Sequence, residues 1–206
     1  DKVSGDKLTE TDGGMKALLA TVYAAVPMED FVFRPYTGFN ARNYDGVNGA
    51  SNIAFLSDEA ARSEGGGGIT EGFDYWPYDE IRQVNIFIET VTSSQEKGLL
   101  SQADATRMIA EARFARAYIY FGLVKRYGGV PIINRVQDGD YVPGDSEALR
   151  VPRSTESDTW KFVINEFGEA AKDLPVARDG YRFTKWGALG MKSRAALFAA
   201  SLAKYW

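Results

Sequence analysis

Between residues 36 and 75 the chain gathers planar rings, amides, carboxylates and guanidinium groups in one turn-rich stretch: Tyr36, Phe39, Asn40, Arg42, Asn43, Tyr44, Asp45, Arg62, Glu64, Phe73, Asp74 and Tyr75. Aromatic faces cover the apolar side of a pyranose ring, while amides and charged groups hydrogen-bond its hydroxyls, so this mixture suits oligosaccharide recognition. Tyr36, Asn43, Tyr44, Asp45, Arg62, Glu64, Phe73 and Tyr75 are the ligand-binding candidates. The alternative for any single one is that it packs or solvates the loop. Within "SDEAARSEGGGG", Asp58, Glu59 and Glu64 are close enough to suit calcium or an acid/base pair. A helix start at Asp58 and Glu59 followed by a flexible glycine tip explains the same residues more simply. No metal, cofactor or catalytic residue is therefore assigned.

Other chemistries lose their participants. The 206 residues contain no Cys and no His, which removes thiolate or imidazole zinc sites, a Cys nucleophile and a Ser-His-Asp triad. Formal charge is −4, and no stretch concentrates Lys and Arg into the face that phosphate neutralisation requires, so nucleic acid is not expected as a partner. With 45% hydrophobic and 25% charged residues, the chain has the composition of a folded soluble protein. Its apolar runs, such as "ALLATVYAAVPM", fall short of a bilayer span, and the polar start "DKVSGDKLTETDGG" does not read as a signal peptide. The expectation is that any leader was removed.

The candidate residues need a frame, and helical periodicity supplies it. Leu18, Leu19, Val22, Tyr23 and Val26 recur at helical spacing over 15–26, up to Pro27. Residues 34–75 form a long irregular excursion rich in Gly, Asn and Asp, of the kind that tends to be functional when it interrupts a compact domain. Helices are expected over 77–93, with Tyr78, Ile81, Val84, Ile88 and Val91 on one face, and over 102–127, with Ala110, Phe114, Ala117, Tyr118, Phe121 and Val124 on one stripe. The second opens with a capping box, Ser101 with Asp104. It closes on Lys125, Arg126, Gly128, Gly129 and Pro131, after which Val130, Ile132 and Ile133 leave as an apolar arm.

A further helix over 156–173, capped by Ser154 or Thr155, carries Trp160, Val163, Phe167, Ala170, Ala171 and Leu174. Another spans 185–205, dense in Ala and Gly, and its pattern is still running at the last residue. The helix aromatics Phe114, Tyr118, Phe121, Trp160, Phe167 and Trp186 are expected in the core. Trp186, Leu189 and Gly190 fit the start of the tetratricopeptide pattern, although Ser193 stands where that pattern has Tyr and no fixed period links the helices.

The stretches "FLSDEA" (55–60), "WPYDEIRQVNIFIE" (76–89), "AEARFARAYIYFGLVKRYGGVPII" (110–133), "VPRSTESDTWKFVINEFGEAAKDLP" (151–175) and "RFTKWGALGMKSRAALFAASLA" (182–203), in this order, resemble the SusD-like (RagB/SusD) family of outer-membrane nutrient-binding lipoproteins. The resemblance implies an all-α, tetratricopeptide-like scaffold of helical pairs with long irregular loops, of which residues 1–206 are the N-terminal portion and the C-terminal portion is absent. It also implies an oligosaccharide or other nutrient as ligand and a SusC-like TonB-dependent transporter as partner. Localisation would be outward-facing on the outer membrane, through a lipid anchor outside this sequence, and no enzymatic activity is expected. A helical-repeat module that binds another protein without a small ligand is the alternative, and it leaves the Gly/Asn-rich excursion unexplained.

Overall fold

The chain divides into two compact units, Asp1–Pro27 with Pro77–Trp206, and Met28–Trp76. The structure, a computed structural model, describes residues 11–26, 76–137 and 149–205. Among these residues there are five helices and no strand: α1 (Asp12–Ala24), α2 (Tyr78–Glu96), α3 (Gln102–Tyr127), α4 (Glu156–Asp173) and α5 (Lys185–Tyr205). Each packs on its neighbours in the chain, α2 on α3, α3 on α4 and α4 on α5, while α1 lies against both α2 and α3. This is the helical-pair arrangement expected of the scaffold, and no described helix is long and apolar enough to cross a membrane.

Local chemistry sets the boundaries. Helix α1 starts three residues earlier than its apolar periodicity predicts, because the Thr11 hydroxyl accepts from the Gly14 amide at 3.1 Å and caps a turn that contains two glycines. In α3 the Ser101 hydroxyl accepts from the Asp104 amide at 3.1 Å and donates to the Asp104 carboxylate at 2.7 Å. Of the two caps open for α4, Thr155 is used; its hydroxyl accepts from the Asp158 amide at 3.0 Å. That hydroxyl, with Lys161 beside it, holds the Asp158 carboxyl below the usual carboxylate range.

Helix α4 buries the stripe its periodicity defines: Trp160, Val163, Phe167, Ala170, Ala171 and, just past its end, Leu174. Helix α3 does not follow its predicted single stripe. Buried residues run round most of its circumference, including Ala112, Ala115, Arg116, Ile119, Tyr120 and Leu123, because it lies between α2 and α4 with α1 against it. Its alanines make this feasible by letting neighbours approach without steric conflict. Phe114 meets Phe167 edge-on at 5.2 Å, and Phe121 meets Trp160 at 5.8 Å, so the main aromatic seam joins α3 to α4. Trp186 departs from expectation: it is 61% exposed, since α5 turns only Ala188 and Ala195 fully inward.

The end of α3 is a backbone crossing. Gly128 takes φ +66°, ψ −127°, a mirror-extended conformation rather than the left-handed helical one, and residues with a Cβ avoid it. Gly129 passes so close to the segment before α4 that an added Cβ would lie 2.0 Å from the Ser154 carbonyl oxygen. The Ser154 amide donates to the Val130 carbonyl at 3.1 Å, and Arg153 donates to the carbonyls of Tyr127 and Gly129, each at 2.7 Å. Val130 is fully buried. The apolar arm therefore packs into the core where it leaves the helix.

Candidate functional site

The predicted ligand residues Tyr36, Asn43, Tyr44, Asp45, Arg62, Glu64, Phe73 and Tyr75 all lie outside the described residues, as do Asp58 and Glu59. What is described is the scaffold at the two ends of that stretch, α1 on one side and the start of α2 on the other. Trp76, 52% exposed, stands immediately before Pro77 and α2. It continues the run Phe73-Asp74-Tyr75, so a large exposed ring extends the predicted aromatic set by one residue. Sequence reasoning passed over it by grouping Trp76 with the helix that follows, although its place in "FDYWP" was the available signal.

The arm after α3 fixes α2. The Tyr78 hydroxyl donates to the Pro131 carbonyl at 2.7 Å, the Asn85 amide donates to the carbonyls of Ile133 and Arg135 at 3.1 and 3.2 Å, and the Val136 amide donates to Glu89 at 2.8 Å. From α3, the Tyr120 hydroxyl accepts from the Ile133 amide at 2.7 Å, and Arg116 donates to the Asn134 carbonyl at 3.1 Å and to the Asn85 side chain at 2.7 Å. Burial holds the Tyr78 hydroxyl protonated well above its ordinary range and raises Tyr120 to about 12. Both phenols therefore stay neutral and serve as hydrogen-bonding groups for the arm.

Two buried carboxylates complete the frame. Glu166 of α4, 5% exposed, receives Arg116 and Arg113 of α3, each with a contact of 2.6 Å. Glu111 of α3, 1% exposed, receives Arg182 at 2.6 Å and the Tyr23 hydroxyl of α1. The Tyr23 hydroxyl in turn accepts from the Phe183 amide at 3.0 Å, while its ring stacks on Phe183 at 4.3 Å. Desolvation, followed by the Glu111 hydrogen bond, pushes the Tyr23 hydroxyl far up. The hydrogen bond to Glu111 also raises Arg182. Both carboxylates accept from donors of neighbouring elements, an arrangement that ties helices together.

Other surface features bear on binding. A cleft of about 320 Å³ runs along α2 between Ile86, Glu89, Thr90, Ser93, Lys97 and Val136. It is polar and lined by no aromatic ring, so it lacks the stacking platform a pyranose uses. No group of three or more metal-ligating side chains occurs among the described residues. Among the described residues the geometry is that of a helical frame in which α1, through Tyr23, and the start of α2, through the arm, are tied to α3.

Comparison with known proteins bears on the family. A SusD-like family model, described as "Starch-binding associating with outer membrane", matches residues 3–197. A SusD-like protein of Bacteroides ovatus is 31% identical over 120 residues, covering 58% of this chain and 21% of the relative. SusD-like protein P38 of Formosa agariphila is 26% identical over 201 residues, covering 95% and 37%. Among solved structures, a SusD-like protein from Bacteroides fragilis superposes with a TM-score of 0.66 at 25% identity, covering 94% of this chain and 36% of the other. A SusD-like carbohydrate-binding protein from the same species gives 0.64 at 25% identity, covering 92% and 38%. The chain thus spans well under half the length of these relatives. With the helical-pair scaffold in place and a family match over nearly its whole length, this chain belongs to the SusD-like family.

Proposed function

We propose that this chain is the N-terminal portion of one SusD-like domain, with the stretch 34–75 as its ligand-facing region and 76–206 as its helical scaffold. The protein captures an oligosaccharide at the bacterial surface and passes it to a SusC-like TonB-dependent transporter. It is held outward-facing on the outer membrane by a lipid anchor and does not cleave its ligand. The observation that carries this reading is the match of residues 3–197 to a family described as starch-binding and associated with the outer membrane. The likeness to a SusD-like carbohydrate-binding protein from Bacteroides fragilis supports it. So does the exposed Trp76, which extends the run Phe73-Asp74-Tyr75, whose rings suit pyranose faces and whose carboxylate suits hydroxyls.

The test is glycan-array screening followed by titration calorimetry with starch-derived oligosaccharides, beside thermal melts. Truncation of Tyr44, Arg62 or Tyr75 to Ala weakens binding by at least about tenfold, roughly 1.4 kcal/mol. Melting temperature stays within a few degrees, since surface substitutions typically cost under about 0.5 kcal/mol. Normal binding by all three variants overturns the residue assignment. Failure to bind any glycan, or release of reducing ends, overturns the functional reading.

A further inference from the structure

The polar cleft along α2 is built from one side of that helix and its C-cap, Lys97. At 100° per residue Ile86, Thr90, Ser93 and Lys97 fall within an arc of about 60° and together cover about 16 Å of the axis. Val136 of the arm completes the lining, and its amide donates to one oxygen of Glu89 at 2.8 Å. Among the described residues nothing hydrogen-bonds the Thr90 and Ser93 hydroxyls, and no acid meets the Lys97 ammonium. Lys161 and Lys172 of α4 each pair with an acid three residues earlier, at 3.1 and 2.6 Å, where Lys97 has Ser94. The carbonyl end of a helix disfavours an anion, but here the carbonyls of Ser93, Gln95 and Ser94 already accept from the amides of Lys97, Gly98 and Leu99.

The cleft therefore offers one unmet positive charge, two hydroxyls and a second Glu89 oxygen, in a volume of about 320 Å³ that suits a small ligand. With no ring to stack on, a neutral sugar exchanges its hydrogen bonds to water for equivalent ones, whereas a carboxylate adds a charge-assisted bond. We propose that this cleft is a site for an acidic sugar: it takes a uronic-acid residue of an oligosaccharide, with the carboxylate on Lys97 and ring hydroxyls on Thr90, Ser93 and the Glu89 oxygen left by Val136. Ile86 and Val136 meet the C–H groups of the ring. The choice of a sugar among hydroxylated acids rests on the proposed oligosaccharide function, while the charge it carries follows from the cleft.

The probes are trigalacturonate, maltotriose as its neutral counterpart of equal length, and succinate as an acid without ring hydroxyls, titrated into full-length protein by calorimetry and saturation-transfer NMR. Lys97→Ala weakens trigalacturonate binding by about fivefold, the upper range for an exposed ion pair, and leaves maltotriose unchanged. Thr90→Val weakens it by about threefold through the lost hydroxyl. Salt at about 0.5 M brings the parent close to the Lys97→Ala value, because the pair is exposed and screened. Lys161→Ala, outside the cleft, has no effect. Unchanged trigalacturonate affinity in Lys97→Ala overturns the proposal, as does succinate binding as tightly as trigalacturonate. Trigalacturonate binding lost in Tyr44→Ala but kept in Lys97→Ala, or maltotriose binding with none of trigalacturonate, overturns the cleft and leaves the oligosaccharide function standing. Absence of binding by any sugar overturns both.

Discussion

Replacing Gly129 with Ala adds one methyl group where, of the described glycines, a neighbouring backbone comes closest. The new Cβ would lie 2.0 Å from the Ser154 carbonyl oxygen and 2.9 Å from both the Glu156 amide nitrogen and the Thr155 carbonyl carbon. All three are backbone atoms, so no rotamer change relieves the contact. The arm and the entry to α4 must separate by more than 1 Å to restore ordinary van der Waals distance, roughly 3.4 Å or more. Separation strains the hydrogen bond from the Ser154 amide to Val130 and the two from Arg153 to Tyr127 and Gly129. At about 0.5–1.5 kcal/mol net for each, and with Arg153 exposed to solvent, their loss amounts to roughly 2–3 kcal/mol. Partial exposure of Val130, which is fully buried, adds roughly 1–2 kcal/mol. The expected destabilisation is therefore about 3–5 kcal/mol, or a melting temperature lower by roughly 10–15 °C for a chain of this size. Urea unfolding monitored by circular dichroism measures it, with Gly13→Ala as control, since a Cβ at Gly13 meets nothing within 4 Å. A Gly129→Ala variant within about 1 kcal/mol of the parent would show that the crossing is not held as tightly as this reasoning requires.

Two further outcomes follow from the buried network and the phenols. Glu166→Gln leaves Arg116, 6% exposed, without its counter-charge and lowers stability by about 3–5 kcal/mol in denaturant titrations; a neutral result would mean that water enters the site. Tyr120 has its pKa raised from 10.0 to about 12 by burial, so the unfolded chain releases that proton first as pH rises. The stability due to its neutral form is fully present below pH 10 and is lost as pH approaches 12, with Tyr23 and Tyr78 shifted in the same direction. Melts across that window show a steep fall that Tyr120→Phe makes shallower, and an unchanged slope in the variant contradicts the assignment.

Where packing repeats with the helix period, the sequence was legible. The six inward residues of α4 and its following turn, the Ser101 and Asp104 cap, and the stop at Gly128 and Gly129 are local signals, and the structure keeps them. Contacts decided by the partner were not legible. Asn85, absent from the predicted apolar face of α2, is 1% exposed because the arm brings two carbonyls to its amide. Glu111 and Arg116 lie off the predicted stripe of α3 and are buried because helices flank it on several sides. Trp186 read as core because its period fits, but period alone does not tell which side of a helix has a neighbour. The eight candidate ligand residues come from composition in a stretch without periodicity, and they lie outside the described residues.

The arm at 129–136 is an extended, partly apolar segment in an all-helical neighbourhood, the kind of backbone onto which another chain adds as a β-strand. Its polar groups are already engaged, largely by side chains. The carbonyls of Gly129, Pro131, Ile133, Asn134 and Arg135 accept from Arg153, Tyr78, Asn85 and Arg116, while the amides of Ile133 and Val136 donate to Tyr120 and Glu89. The helices thus act as a sheathing that withholds a strand edge from intermolecular pairing. The Tyr, Asn and Arg residues that anchor α2 thus also occupy carbonyls and amides of the arm that an added strand would need for pairing.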